Sequence, residues 1–126
     1  MSGVVSIRVR AICGPTESAE KVRQAIRRVL QLPEGVAFED QRLTGVFGEP
    51  LTVLETEIVG VDAETVFDRL QESLPSRYLE EGSETSRRTR TIHVRLNKQL
   101  AAMGVIQPSL EDAIKIEIRL RGGGQT

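Results

Sequence analysis

Aromatic side chains are scarce in this chain: they make up 3% of its 126 residues, and tryptophan is absent. Any core must therefore be built from Val, Ile, Leu and Ala. The scarcity also argues against a sheet that stacks nucleobases on two aromatic strand signatures, because Phe38, Phe47, Phe67 and Tyr78 are the only aromatics and none falls on the strands that would carry them. Cys13 is the single cysteine, which excludes an internal disulfide and a cysteine-based zinc site and suits a reducing cytoplasm. His93 is the single histidine. No apolar run approaches the roughly 18 residues of a membrane span, so no membrane contact is expected. Met1-Ser2-Gly3 lacks the basic and apolar start of a secretory signal.

Periodicity supplies what these gaps leave open. Residues Val5, Ile7, Val9, Ala11 and Cys13 share one parity and Ser6, Arg8 and Arg10 the other, the pattern of a strand with one buried face. Gly14-Pro15 breaks it. Ser18 is placed to cap a helix whose apolar stripe is Val22, Ala25, Ile26, Val29 and Leu30, ending before Pro33. Val36 to Phe47 and Leu51 to Val59 read as a hairpin turning at Gly48-Glu49-Pro50. Asp62 can cap a second helix with Ala63, Val66, Phe67, Leu70 and Leu74 on its apolar face. Ser76 to Ser86 reads as a short helical turn and loop. Arg90 to Leu96 alternates again, Asn97 to Met103 gives one or two helical turns closed by Gly104, and Ala113 to Arg121 is a last strand burying Ile114, Ile116, Ile118 and Leu120. The expected order is β-α-β-β-α-(α)-β-(α)-β: an α+β fold with a mainly antiparallel sheet and helices on one face. Residues 1–121 form one domain, and 122–126 a flexible Gly-rich tail. Arg119 to Gly123 is similar to the end of ubiquitin, but the body of the chain does not share that protein's element order.

Catalytic constellations are sparse. His93 has no supporting base or nucleophile nearby in sequence, no Walker or G-x-S-x-G motif occurs, and Cys13 lies on the buried parity of its strand. The carboxylates Glu34, Glu39 and Asp40, and Glu80, Glu81 and Glu84, lie in expected loops at no diagnostic spacing. The chain is expected not to be an enzyme and to need no cofactor or metal.

Net charge is −1 at pH 7, which excludes nucleic-acid binding by bulk charge alone, but its distribution is uneven. Lys21 to Pro33 carries four basic residues and no acid, and Arg87 to Leu110 carries five and no acid. These segments are either solvated surfaces or a local basic face.

Three stretches, Gly14 to Val22, Leu43 to Leu51 and Leu96-Asn97-Lys98-Gln99-Leu100-Ala101-Ala102-Met103-Gly104, together resemble an archaeal family of RNA-binding proteins described as predicted exosome subunits. Leu100 stands where the family has a small residue. The resemblance implies an RL5-like α+β fold, RNA as a partner, exosome proteins as further partners, and phosphate contact by Arg87, Arg88, Arg90, Arg95, Lys98 and Gln99, backed by Arg23 and Arg27. Asn97 and Gln99 can equally brace a short helix. The alternative function is a protein-interaction module with no RNA affinity, using strand edges or the apolar loop Met103 to Ile106.

Overall fold

The computed structural model describes residues 3–121; the Gly-rich stretch 122–126 lies outside them. Strand β1 (Val4–Cys13) keeps the expected alternation from Ile7 onward, with Ile7, Val9, Ala11 and Cys13 buried; at its start a register shift against the last strand reverses it, exposing Val5 and burying Ser6. Helix α1 (Ala19–Leu30) starts at Ser18, whose Oγ accepts from Lys21 N at 3.2 Å. It stops before Pro33: Gln31 turns left-handed (φ 53°), and the N–H of Leu32 reaches back to the Arg27 carbonyl at 3.0 Å. Its buried stripe is Val22, Ala25, Ile26, Val29 and Leu30, as the spacing predicts.

The next hairpin pairs β2 (Glu39–Thr44) with β3 (Pro50–Val59). β2 is shorter than the expected Val36–Phe47 and is exposed throughout, because it is an edge strand held by one neighbour. Helix α2 (Gly60–Ser73) follows β3 without a loop. Gly60 makes the entry at φ +67°, a conformation a side chain resists. Asp62 therefore sits in the first turn and does not cap: the capping position is Val59, with no side-chain cap hydrogen bond. The stretch expected as turn and loop divides into α3 (Ser76–Glu81) and a short strand β4 (Ser83–Ser86). β5 (Thr89–Asn97), α4 (Lys98–Ala101) and β6 (Ala113–Arg121) complete the described residues.

The strands form one antiparallel sheet in the order β2-β3-β1-β6-β5-β4. β6 returns to lie beside β1, so the first and last strands form the centre. Ile7 and Val9 of β1, Ile114, Ile116 and Ile118 of β6, and Ile92, Val94 and Leu96 of β5 join Ile26, Val29, Leu70 and Phe67 of the helices in one aliphatic core. The opposite parity of the strands is left uncovered by helices. Among the described residues, no helix is long and apolar enough to cross a membrane.

Candidate nucleic-acid interface

Outward-facing side chains of the central strands fall into register across the uncovered face. Arg10 of β1 pairs with Lys115 of β6, and Lys115 pairs with Arg95 of β5. Three cations thus stand side by side on adjacent strands, spanning about 10 Å. All three are exposed. Among the described residues none of their side chains makes an ion pair or hydrogen bond. Glu55 is in register with Arg10 but turns to Arg8 at 3.7 Å. Directly opposed like charges weaken a sheet by up to about 1 kcal/mol per pair, and none of the three cations forms an ion pair that would offset this. Shallow hollows of about 440 and 250 Å³ flank it. One extends toward His93 and Glu117, the other toward Ile12, Leu110 and Asp112. In the first, Glu84 Oε1 lies 2.7 Å from His93 Nε2. Glu39, Glu55 and Glu57 make β2 and β3 the more acidic side of the face, whereas β1, β6 and β5 present Arg8, Arg10, Lys115, Arg119 and Arg95, with Glu117 on β6 and Glu84 on β4.

The other residues expected at the site are placed differently. Lys98 is buried, its side chain 6% exposed. Its ammonium donates to the Ile12 carbonyl, to Asp112 at 2.7 Å and to Glu17 at 3.1 Å. Burial alone would push this ammonium's pKa down; hydrogen bonds to Asp112 and Glu17 outweigh that and hold it above the ordinary lysine value. Asn97 Oδ1 caps α4 by accepting from Leu100 N at 2.9 Å, and Gln99 is exposed beside it.

Arg23 and Arg27 lie on the helical side of the sheet. Arg23 pairs with Glu20 and, at 2.7 Å, with Asp40, whose hydrogen bond raises the guanidinium's pKa. Arg27 donates to the Val36 carbonyl at 2.6 Å and stacks 5.0 Å from the Phe38 ring. Arg23 and Arg27 are therefore off the face that carries Arg95, although the two acid-free segments meet on the helical side, where Arg28 of α1 donates to the Ala102 carbonyl at 3.2 Å. Arg87 and Arg88 form the exposed turn between β4 and β5, with Arg87 at φ 54°. Arg90 donates to Ser83 Oγ at 3.0 Å on the core parity of its strand. Of the expected residues, only Arg95 joins the row. Arg10 and Lys115 were not expected; their outward parity was visible, but nothing local says that the first and last strands are neighbours.

Among the described residues, no group of three His, Cys, Asp or Glu side chains is arranged to hold a metal ion.

Comparison with known proteins agrees in kind. A family model described as RNA binding matches residues 6–120. The chain is 30% identical over 125 residues to the RNA-binding protein PAB1135 of Pyrococcus abyssi, covering 92% of this chain and 81% of that one. The solved DUF54 protein Mth689 of Methanothermobacter thermautotrophicus superposes with a TM-score of 0.80 at 27% identity, covering 95% of this chain and 87% of that one. The protein SSO0741 of Sulfolobus solfataricus shares the fold, with a TM-score of 0.70 at 18% identity over 94% and 88% of the two chains. The match runs through every strand that builds the cationic row, and the chain belongs to this RNA-binding family.

Proposed function

We propose that the protein binds RNA without catalysing a reaction on it, and that it holds the phosphate backbone on the open face of the sheet. The observation that carries this reading is the row Arg10–Lys115–Arg95, three exposed cations in register with no side-chain partners among the described residues. Unpaired cations at fixed spacing suit phosphates, which are held by charge and geometry and are not read by base identity. Arg87 and Arg88 at the β4–β5 turn, toward the other end of β5 from Arg95, add two exposed cations. The sequence resemblance extends the reading to an accessory of exosome-type RNA processing.

Replacing Arg10, Lys115 and Arg95 together by Gln tests it. If the row neutralises three phosphates, its share of the salt dependence is about 0.7–0.9 per phosphate, or about a 20- to 40-fold loss of affinity between roughly 50 and 200 mM salt. The triple variant is expected to lose that share of the slope in an RNA titration at both salt concentrations. Absence of binding by the wild type at low salt, or an unchanged slope in the variant, refutes the reading. Recovery of exosome proteins from native extract, surviving nuclease treatment, tests the accessory role.

A further inference from the structure

Toward one end of the sheet, the open face changes from charged to apolar. Next to the cationic row, Ile12 of β1 is 42% exposed; beyond it Leu43 of β2, in register with Leu51, is also 42% exposed. The hairpin then runs past the end of β1 to a tip at which Val46 and Phe47 are 94% and 91% exposed. Arg10 is in register with Glu55, and Pro50, where the tip begins, lies about 17 Å further along β3.

The tip has a defined shape. Gly45 N donates to the Glu49 carbonyl at 2.7 Å, Gly48 N to the Gly45 carbonyl at 3.0 Å, and Phe47 N to Glu49 Oε1 at 2.9 Å. Gly48 takes φ +81°, and a Cβ on Gly45 would meet the Glu49 carboxylate. The other aromatics are committed elsewhere. Phe67 is in the core, Phe38 lies under Arg27, and the Tyr78 hydroxyl accepts from Arg95 N at 3.1 Å. Phe47 is thus an aromatic face in water on a braced projection.

We propose that the RNA held here is unpaired, with phosphates on Arg10, Lys115 and Arg95 and a base stacked on Phe47. This rests on the RNA reading above and narrows its ligand to single strands or loops. A cationic track leading along an apolar lane to an aromatic ring is complementary to a strand with an anionic backbone and planar faces. A duplex keeps its bases stacked inside and offers Phe47 no face except at its ends.

The test uses Phe47→Ala, Phe47→Leu and Phe47→Trp in the full chain, titrated with a short oligouridylate and with a blunt RNA duplex. Thermal melts should match the wild type, because the side chain is exposed. Removing the ring is expected to weaken oligouridylate binding by about 5- to 150-fold. Leu should stay with Ala, Trp should restore affinity, and duplex binding should not change. The wild type has no tryptophan, so the introduced indole is a unique reporter whose fluorescence should be quenched on stacking. Full affinity in the Leu variant, an unchanged Ala variant, equal losses on duplex, or an unquenched indole overturns the proposal; the first of these marks the tip as a generic apolar contact. Loss of binding in the Gln triple variant with no effect at Phe47 sinks this inference alone, whereas an unaffected triple variant sinks the RNA reading beneath it.

Discussion

Lys98 offers a sharp test of how side chains on this fold divide between structure and contact. It ties α4 to the end of β1 through the Ile12 carbonyl, to the loop before α1 through Glu17 and to the loop before β6 through Asp112. Lys98→Met keeps most of the stem and removes the ammonium. The ion pairs themselves count for little, since Glu17 is 33% and Asp112 71% exposed and both can turn to water. The main loss is the charged hydrogen bond to a partly buried carbonyl, so about 2 kcal/mol is expected. Lys98→Ala also strips three buried methylenes, for about 4 kcal/mol in all. With a urea dependence of about 2 kcal/mol per molar, the midpoints should fall by about 1 M and 2 M. The sign of the pH dependence follows from a pKa raised on folding. The ammonium's contribution is complete below the unfolded lysine value of about 10.4 and is lost as pH rises through the folded value. The gap between wild type and Lys98→Met should therefore be flat through neutral pH and close only in strong alkali. A Met variant with an unchanged urea midpoint and weakened RNA binding would refute the structural assignment and make Lys98 a phosphate contact.

Two further predictions concern the frame around the site. Cys13 is 1% exposed, and burial pushes its thiol's pKa up; alkylation should therefore track global unfolding in urea, and rapid labelling of the native protein would contradict the placement. A Cβ on Gly82 would stand 2.4 Å from the His93 carbonyl oxygen, so Gly82→Ala must push β4 from β5 at about 1–3 kcal/mol. A melting temperature lowered by at least about 3 °C is expected, and an unshifted melt would show that the edge strand can yield.

Much of the frame was legible because burial writes periodicity. β1 and β6 each bury one face against the helices, and their alternation survives in the sequence; α1 shows both its cap at Ser18 and its stripe. β4 leaves no such trace. Ser83 to Ser86 is polar, with no fully buried residue, and is a strand only because β5 offers it a ladder. The start of α2 was misplaced for a related reason: Asp62 has the chemistry of a cap, but Gly60 has the backbone freedom that decides the entry. At the site, Arg95 could be found from its acid-free neighbourhood. Arg10 and Lys115 could not, since like charge arises there from the pairing of distant strands. Lys98 sat in the same basic segment as Arg95, yet Glu17 and Asp112, far apart in sequence, enclose it.

The open face carries two arrangements that oppose stability or solubility: like charges in register, and a bulky apolar tip in water. Each could be tolerated as an isolated cost. Their adjacency is informative, because one ligand offsets both if it is anionic along one edge and planar and apolar along the other. The net charge of −1 sharpens the point. A strongly basic protein would attract RNA at long range whatever its surface detail, and its salt dependence would report total charge. Here the long-range term is close to zero, and the acids on β2 and β3 repel a backbone that strays from the row. Affinity must then come from the face itself, so the salt slope counts local phosphate contacts, and the residual binding at high salt measures what the apolar lane and Phe47 add.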